Sequence, residues 1–313
     1  MSTGEITQVE IAVCTWNRQA LLSQTLQSFT RLDVPENIQL SVLIVDNNST
    51  DQTTQVIEEF CDSAFGQDHN VVALHEKQQG HTFSRNRAVE SASGDLLLWT
   101  DDDVVVSPDW VARYVRAANQ GPEFTFWGSV IEPKFEGDVP NWIEQNWEIL
   151  RGCFAHRDLG DQRLEFSATR LPYGANFAVR TEVQKEFQFD CELGRRGDQV
   201  VGEDELELMR RLLARGYRGA WVPGAVVQHF IPPDRASEKY VYDYFVGQGR
   251  ALVAKDQPWH TNARRMKRES TLESLKYRTK RRISPSPVWV GHMIRSALAQ
   301  GQFEALTLRS TRS

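Results

Sequence analysis

Gly94-Asp95-Leu96-Leu97-Leu98-Trp99-Thr100-Asp101-Asp102-Asp103-Val104-Val105-Val106-Ser107-Pro108-Asp109-Trp110 is the stretch that decides how this chain is read. Leu96 to Trp99 is an unbroken apolar run, the mark of a parallel strand covered on both faces. Ser107 and Pro108 read as the N-cap and first position of a helix. Between them stand three carboxylates, at the strand end where open α/β sheets place their ligands. Negative charges so crowded raise one another's pKa and are costly unless a cation neutralises them. Oxygen ligands at that density suit Mg²⁺ or Mn²⁺, an ion that holds the phosphates of a nucleotide. One Asp here would read as a turn residue; three after a buried strand read as a metal site.

Outward from this stretch, strands and helices alternate. Val9 to Trp16 reads as a first strand, and Asn17 and Arg18 lead into a helix with Leu21, Leu22, Leu26 and Phe29 on one face. Leu40 to Val45 is a second strand, ending in the polar loop Asp46 to Asp51. A short helix through Val56, Ile57 and Phe60 precedes a third strand, Val71 to Leu74, and Gly80 to Ser93 is helical. The order β-α-β-α-β-α-β predicts a doubly wound, mainly parallel sheet with right-handed crossovers. A Gly-x-Gly-x-x-Gly turn and a Walker A loop are both lacking, which sets aside dinucleotide and P-loop readings.

Downstream, Phe124 to Ile131 and Tyr173 to Val179 read as strands, separated by an irregular, lid-like stretch from Arg151 to Arg170. A charged loop, Cys191 to Val201, enters a helix from Glu203 to Arg215, closed by Gly216. Short strands Tyr217 to Val222 and Ala225 to Val227 end at Gln228 and His229, before a helix from Ser237 to Lys255.

Charge divides the chain unevenly. Residues 1–259 hold 24 basic and 39 acidic side chains, a net of −15, whereas residues 260–313 hold 12 and 3, a net of +9. An acidic body argues against a general nucleic-acid binder. The basic tail carries two clusters, Arg264 to Arg268 and Lys276 to Arg282, then a Ser-Pro linker and an amphipathic helix from Val288 to Leu298. Peripheral attachment of residues 260–313 to anionic lipid or to a partner is one reading; a solvated basic helix packed on an acidic domain is the other. Four scattered cysteines suggest neither zinc nor a disulfide framework, and point to a reducing cytoplasm. No signal pattern opens the chain, and no run reaches the ~18 apolar residues of a membrane span. The expectation is a soluble cytoplasmic protein, at most peripheral at the inner face of a membrane.

Taken together, Val13-Cys14-Thr15-Trp16-Asn17-Arg18, Val45-Asp46-Asn47-Asn48-Ser49, Arg85-Asn86, Gly94-Asp95 and the triple Asp resemble the family 2 glycosyltransferases of the GT-A fold. Gly174-Ala175-Asn176-Phe177-Ala178, Phe189-Asp190, Gly202-Glu203-Asp204, Gly216-Tyr217-Arg218, Pro223 and His229 continue the resemblance in family order, over roughly residues 9 to 250. It implies a GT-A-like domain over residues 1–258, with a nucleotide-binding half (1–130) and an acceptor and catalytic half (131–258). A basic helical extension, 259–313, follows.

The resemblance also assigns roles. Thr15, Trp16 and Asn17, with Asp46, would hold the nucleotide, Trp16 by stacking on the base. Arg85, Asp101 and Asp102 would contact the donor, and Asp101, Asp103 and His229 would hold Mn²⁺ or Mg²⁺. Asp204 would be the base of an inverting reaction, and Gly174, Asn176 and Glu203 would line the sugar or acceptor pocket. The family commonly has tyrosine and glycine where this chain has Trp16 and Ala88; the second change bears on the fit near the diphosphate. The implied activity moves a sugar from a nucleotide-diphosphate sugar, UDP-linked by preference, to a hydroxyl on a carbohydrate, lipid-linked or other acceptor, as in polysaccharide or glycoconjugate synthesis. Sugar-1-phosphate nucleotidyltransferase chemistry and a degenerate nucleotide- or carbohydrate-binding module are the alternatives. The first normally needs a Gly-rich loop that Asn17-Arg18-Gln19 does not supply.

Overall fold

A computed structural model describes residues 4–193, 204–254 and 262–310. Two compact units divide the chain: Met1–Lys134 with Ala155–Phe230, and Phe135–Phe154 with Ile231–Ser313. The compositional break at 258–259 falls within the second of these.

In the first unit, apolar strands β1 (Gln8–Thr15), β2 (Gln39–Asp46), β3 (Val71–His75) and β4 (Leu96–Thr100) alternate with helices α1 (Gln19–Phe29), α2 (Thr53–Cys61), α3 (Ala64–Asp68) and α4 (His81–Ser91). β1 pairs parallel with β2 on one side and with β4 on the other. Chain direction into the sheet therefore reverses between β1 and β4, a topological switch point where open α/β sheets bind ligands at the carboxyl ends of the strands. All five residues of β4 are buried, as expected for a strand covered on both faces. Register fixes the site: Thr15 lies opposite Asp46, and Val13 opposite Thr100.

The chain then runs through β5 (Val104–Val106), α5 (Trp110–Gln120), β6 (Phe126–Gly128) and β7 (Ile131–Phe135). α6 (Asn141–Glu144), α7 (Trp147–Leu150) and a 3-10 turn at Arg151–Phe154 follow in the second unit. Back in the first come β8 (Asn176–Arg180), α8 (Thr181–Glu186), α9 (Asp204–Ala214), β9 (Gly219–Trp221) and β10 (Val227–Ile231). The seven-stranded sheet has the order β3-β2-β1-β4-β8-β6-β9, with β8 antiparallel to β4 and to β6. A three-stranded sheet, β5-β10-β7, stands beside it.

Several boundaries differ from the sequence reading. Helix α5 starts at Trp110 with Asp109 as its N-cap, not at Pro108: Val104–Val106 extends as a strand against β10, and Ser107 N–H donates to Val226 C=O, so the turn comes later. The strand expected from Phe124 to Ile131 divides into β6 and β7, which enter different sheets. His229 sits within β10, opposite Val104, rather than at a strand end. Ala88 packs with Ala12, Leu43 and Val45 in the core beneath α4, so its methyl group faces the sheet and not a diphosphate.

In the second unit, Ile143, Leu150, Phe154, Val241, Trp289 and Met293 build an aromatic-rich core. Helices α10 (Glu238–Ala254), α11 (Ala263–Lys280) and α12 (Ser286–Ser310) complete it, α12 packing against both others. α12 is more than twice the length expected from its amphipathic centre.

Candidate active site

The acidic triplet leaves the end of β4 and turns back under β1. Thr15 Oγ1 donates to Asp102 Oδ2 at 2.7 Å, as the strand register requires. Asp103 is directed the other way, to β10: its Oδ1 lies 3.3 Å from His229 Nε2, and its backbone carbonyl accepts from Phe230 N–H. Asp101 is the most exposed of the three. Ligand atoms of Asp101, Asp103 and His229 all fall within 4.8 Å of one another. His229 Nδ1 is buried without a hydrogen-bond partner among the described residues. Two carboxylates and an imidazole suit a divalent ion of the Mn²⁺ type, so the residues present fit such a metal.

Arg18, which follows β1, reaches into this cluster. Its Nη1 stands 2.5 Å from Asp103 Oδ2 and 3.2 Å from Asp102 Oδ1. Burial alone would lower the Arg18 pKa, yet the three carboxylates outweigh it and the net shift is upward. Asp102 responds to the same balance. Burial, reinforced by the charges of Asp103 and Asp101, pushes its carboxyl up to about 7 despite Arg18 and the Thr15 hydroxyl.

Across the pocket lies a second charged group. Arg85, on α4, places Nη1 2.8 Å from Asp204 Oδ2 at the start of α9, and Nη2 3.9 Å from Asp101 Oδ1. Its guanidinium carbon also sits 5.0–5.8 Å from the rings of Trp99, Phe177 and Phe189, an aromatic cage that favours the cation. Burial tends to raise Asp204, but Arg85, with His81 Nδ1 3.8 Å away, holds its carboxyl below the ordinary value. Glu205 behaves oppositely: burial and then the Asp204 charge push it up to about 7. One pair of adjacent carboxylates is thus split into a member held ionised and a member that keeps its proton to a higher pH.

The expected residues are not all arranged as expected. Thr15, Asp101, Asp102, Asp103, Arg85, Asp204 and His229 converge on the strand ends. Trp16 is 42% exposed beside them, an open ring at the rim. Asp46 is buried, accepting from Ser49 N–H and the Thr54 hydroxyl. Asn17, at φ 52°, uses its side-chain oxygen to accept from Thr50 N–H, bracing the loop after β2. Asn176 does not reach the pocket. Its amide donates to Val130 and Ala225 carbonyls while its oxygen accepts from Trp110 and Tyr114; with all capacity spent in the core, it holds β8 in place. Gly174 belongs at the site, since a Cβ there would stand 3.0 Å from Arg85 Nη2 and 3.2 Å from the Glu205 carboxyl carbon. Glu203 lies outside the described residues.

Arg18 and Glu205 escaped the sequence reading of the site. Arg18 stood in the motif after the first strand with no role assigned to it, and Glu205 is one of three acids in the first turn of α9. A long side chain that turns back under a neighbouring strand leaves no mark in linear spacing.

Residues 10–186, more than half of the chain, match the family model for glycosyl transferase family 2. The glucosyl-dolichyl phosphate glucuronosyltransferase of Haloferax volcanii is 27% identical over 226 residues, covering 71% of this chain and 69% of the relative. Succinoglycan biosynthesis protein ExoM of Rhizobium meliloti is 25% identical over 237 residues, covering 75% and 70%. Among solved structures, a mannosyltransferase from Pyrobaculum calidifontis in complex with GDP-Man and Mn²⁺ aligns with a TM-score of 0.56 at 16% identity, covering 97% of this chain and 75% of that one. Residues 1–349 of S. aureus TarS in complex with UDP align at 0.53 and 14%, covering 97% and 92%. Identities that low speak to the fold alone, and the fold they share is the GT-A arrangement of a mixed, mostly parallel sheet between helices. The chain belongs to glycosyl transferase family 2, as a transferase built on that fold.

Proposed function

We propose that the protein transfers a sugar, with inversion, from a nucleotide-diphosphate sugar to an acceptor hydroxyl. The observation carrying this reading is the joining of two groups by one buried arginine: Asp101 of the triplet on one side and Asp204 on the other. The acceptor oxygen attacks the anomeric carbon as its proton passes to Asp204. The bond from that carbon to the diphosphate breaks, and its electron pair leaves on the diphosphate oxygen. Asp204 suits the task because Arg85 keeps it ionised, and proximity compensates for its weak basicity. Asp101, Asp103 and His229 would hold Mn²⁺ or Mg²⁺, which supplies positive charge to the departing diphosphate. Trp16 would stack on the base, with Asp46 and Thr15 beside the ribose and diphosphate. Arg85, occupied by Asp204, contributes to the diphosphate only through its second nitrogen.

A UDP-linked donor is our choice, in keeping with the UDP complex of TarS; the P. calidifontis enzyme holds GDP-Man, so the base must be tested. The H. volcanii relative is named for a dolichyl phosphate substrate and ExoM for succinoglycan, which supports a lipid-linked acceptor in polysaccharide or glycoconjugate synthesis. All four cysteines are free thiols, in keeping with a reducing cytoplasm. No helix of the described residues is long and apolar enough to cross a membrane.

Nucleotide release from UDP-, GDP- and dTDP-sugars, with and without Mn²⁺, tests the reading. We expect metal-dependent release from one donor class and its loss in Asp204→Asn, while nucleotide still raises the melting temperature of that variant. Full turnover in Asp204→Asn, or no thermal response to any nucleotide with Mn²⁺, defeats it.

A further inference from the structure

We propose that the outward face of α11 seats the enzyme on an anionic lipid bilayer. This extends the reading of the acceptor as lipid-linked by naming the surface that brings the enzyme to it. Within the second unit, α11 turns Met266, Ser270 and Glu273 inward. The Ser270 carbonyl accepts from the Ser296 hydroxyl, and Glu273 accepts from Lys276 and Arg295 and meets His292 Nδ1 at 2.7 Å. Among the described residues no side chain of another helix bonds the opposite stripe; its Thr271 hydroxyl donates within α11, to the Lys267 carbonyl. Arg264, Arg268, Thr271, Leu275 and Arg278 recur at helical spacing, all exposed, and the turn after the helix adds Arg282 and Ile283. Leu272, Leu275 and Ile283 are 48%, 64% and 71% exposed. Arg264, Arg268, Arg278 and Arg282 form no ion pair among the described residues. Of the two acids on α11, Glu273 is buried in its cluster and Glu269 alone is exposed.

A merely solvated helix has no use for three large aliphatic side chains in open water. Singly they would be ordinary, but here they stand within twelve residues of sequence, framed by cations that form no ion pair among the described residues. Insertion of aliphatic groups below the headgroups, with Lys and Arg at phosphate level, is the pattern of an interfacial helix, and the two signals together hold a protein on a surface. A shallow groove of about 390 Å³, lined by Arg264, Lys267, Arg268, Thr271 and Leu272, lies on the same face. Its wall is mostly apolar, the aliphatic stems of Arg264, Lys267 and Arg268 beside Leu272, and the Thr271 hydroxyl donates to the Lys267 carbonyl. The exposed apolar groups are aliphatic, with no aromatic platform for base stacking, so the surface suits lipid better than nucleic acid.

The test is co-sedimentation of the full chain with vesicles of phosphatidylcholine, alone or mixed with phosphatidylglycerol. Donor hydrolysis in solution is measured on the same preparations. We expect binding to the mixed vesicles that weakens with salt and is slight on the neutral ones. Replacing Arg264, Arg268, Arg278 and Arg282 together by Gln should weaken it more than about tenfold, given roughly fivefold per cation. Replacing them by Lys should restore it. Leu272→Ser, Leu275→Ser and Ile283→Ser combined should weaken it comparably, and donor hydrolysis should stay at the wild-type level in every variant. Equal binding to both vesicles, binding unchanged in the Gln and Ser variants, or binding to RNA with none to vesicles overturns the proposal. Vesicle binding without donor turnover sustains this surface and defeats the transferase chemistry, so the two fail separately.

Discussion

Arg85 Nη1 lies 2.8 Å from Asp204 Oδ2, with both side chains almost wholly withdrawn from water. One is on α4 and the other on α9, 119 residues away, so the ion pair ties α4 to the start of α9, and in the proposed reaction it would join the donor side of the site to its base. Removing one partner from a buried pair strands the other as an uncompensated charge. Arg85→Gln should therefore cost about 3–5 kcal/mol of stability, read from urea unfolding. Asp204→Asn should slow transfer about 10²–10⁴-fold. In the double variant the stability losses should sum to less than their parts. Strict additivity would mean that the two side chains do not interact in solution.

Glu205 makes the site sensitive to pH in the opposite sense to an ordinary salt-bridged acid. Its carboxyl, pushed up to about 7 from 4.5 by burial and by Asp204, keeps a proton in the folded protein that the unfolded chain has already released. Between those values the native state binds more protons, so stability falls as pH rises through the window. Glu205→Gln removes the titrating group while preserving shape and a hydrogen-bond donor towards Asp204. We expect the variant to be more stable than wild type above neutrality by roughly 1–3 kcal/mol, with little difference below about pH 4.5. Parallel pH profiles of unfolding for the two proteins would refute the assignment.

Much of the frame was legible because its signals are local. β4 announced itself by four apolar residues in a row, and the C-terminal strand ends of β1 and β2 by polar residues following apolar ones. Other motif residues turned out to be braces. Asn47 donates to Glu76 and Gln78 carbonyls and accepts from Gly80 N–H, bringing the loop after β3 round to α4. Asp95 accepts from Thr7 and Gln8 N–H, pinning the start of β1. Asn86 exchanges hydrogen bonds with the Phe189 backbone, which is why Arg85-Asn86 and Phe189-Asp190 belong together. The role of Asn176 was illegible: its four partners come from three separate segments, and only the tertiary fold shows that its amide points into the core.

Close helix approach in the second unit was equally hidden. Gly301 on α12 sits over α10, where a Cβ would fall well inside contact with the Val246 carbonyl oxygen; Gly249 on α10 meets the Leu298 carbonyl in the same way. Helical propensity alone favours Ala over Gly by about 1 kcal/mol, so a surface glycine would gain from the change. Here backbone faces backbone and cannot yield. Gly301→Ala should instead destabilise by about 1–3 kcal/mol, visible as a lower melting temperature. A variant more stable than wild type would mean that α10 and α12 do not approach this closely.

Arg18 stands where its charge would compete with a metal held by the acidic cluster. Its contacts with Asp103 and Asp102 neutralise part of a cluster that is otherwise three carboxylates and an imidazole, and Asp103 is shared between Arg18 and His229. Arg18→Ala removes that competitor and leaves the acids repelling one another. Stability without metal should fall by roughly 1–3 kcal/mol, since Arg18 is partly exposed and its pairing is discounted by solvent. Added Mn²⁺ should restore more stability in the variant than in wild type, and free Mn²⁺ measured by electron paramagnetic resonance should show tighter binding, by about tenfold for 1.4 kcal/mol of relieved competition. An unchanged Mn²⁺ affinity would show that Arg18 yields without cost when the ion arrives. Weaker binding would show that it helps to hold Asp103 in place for the metal.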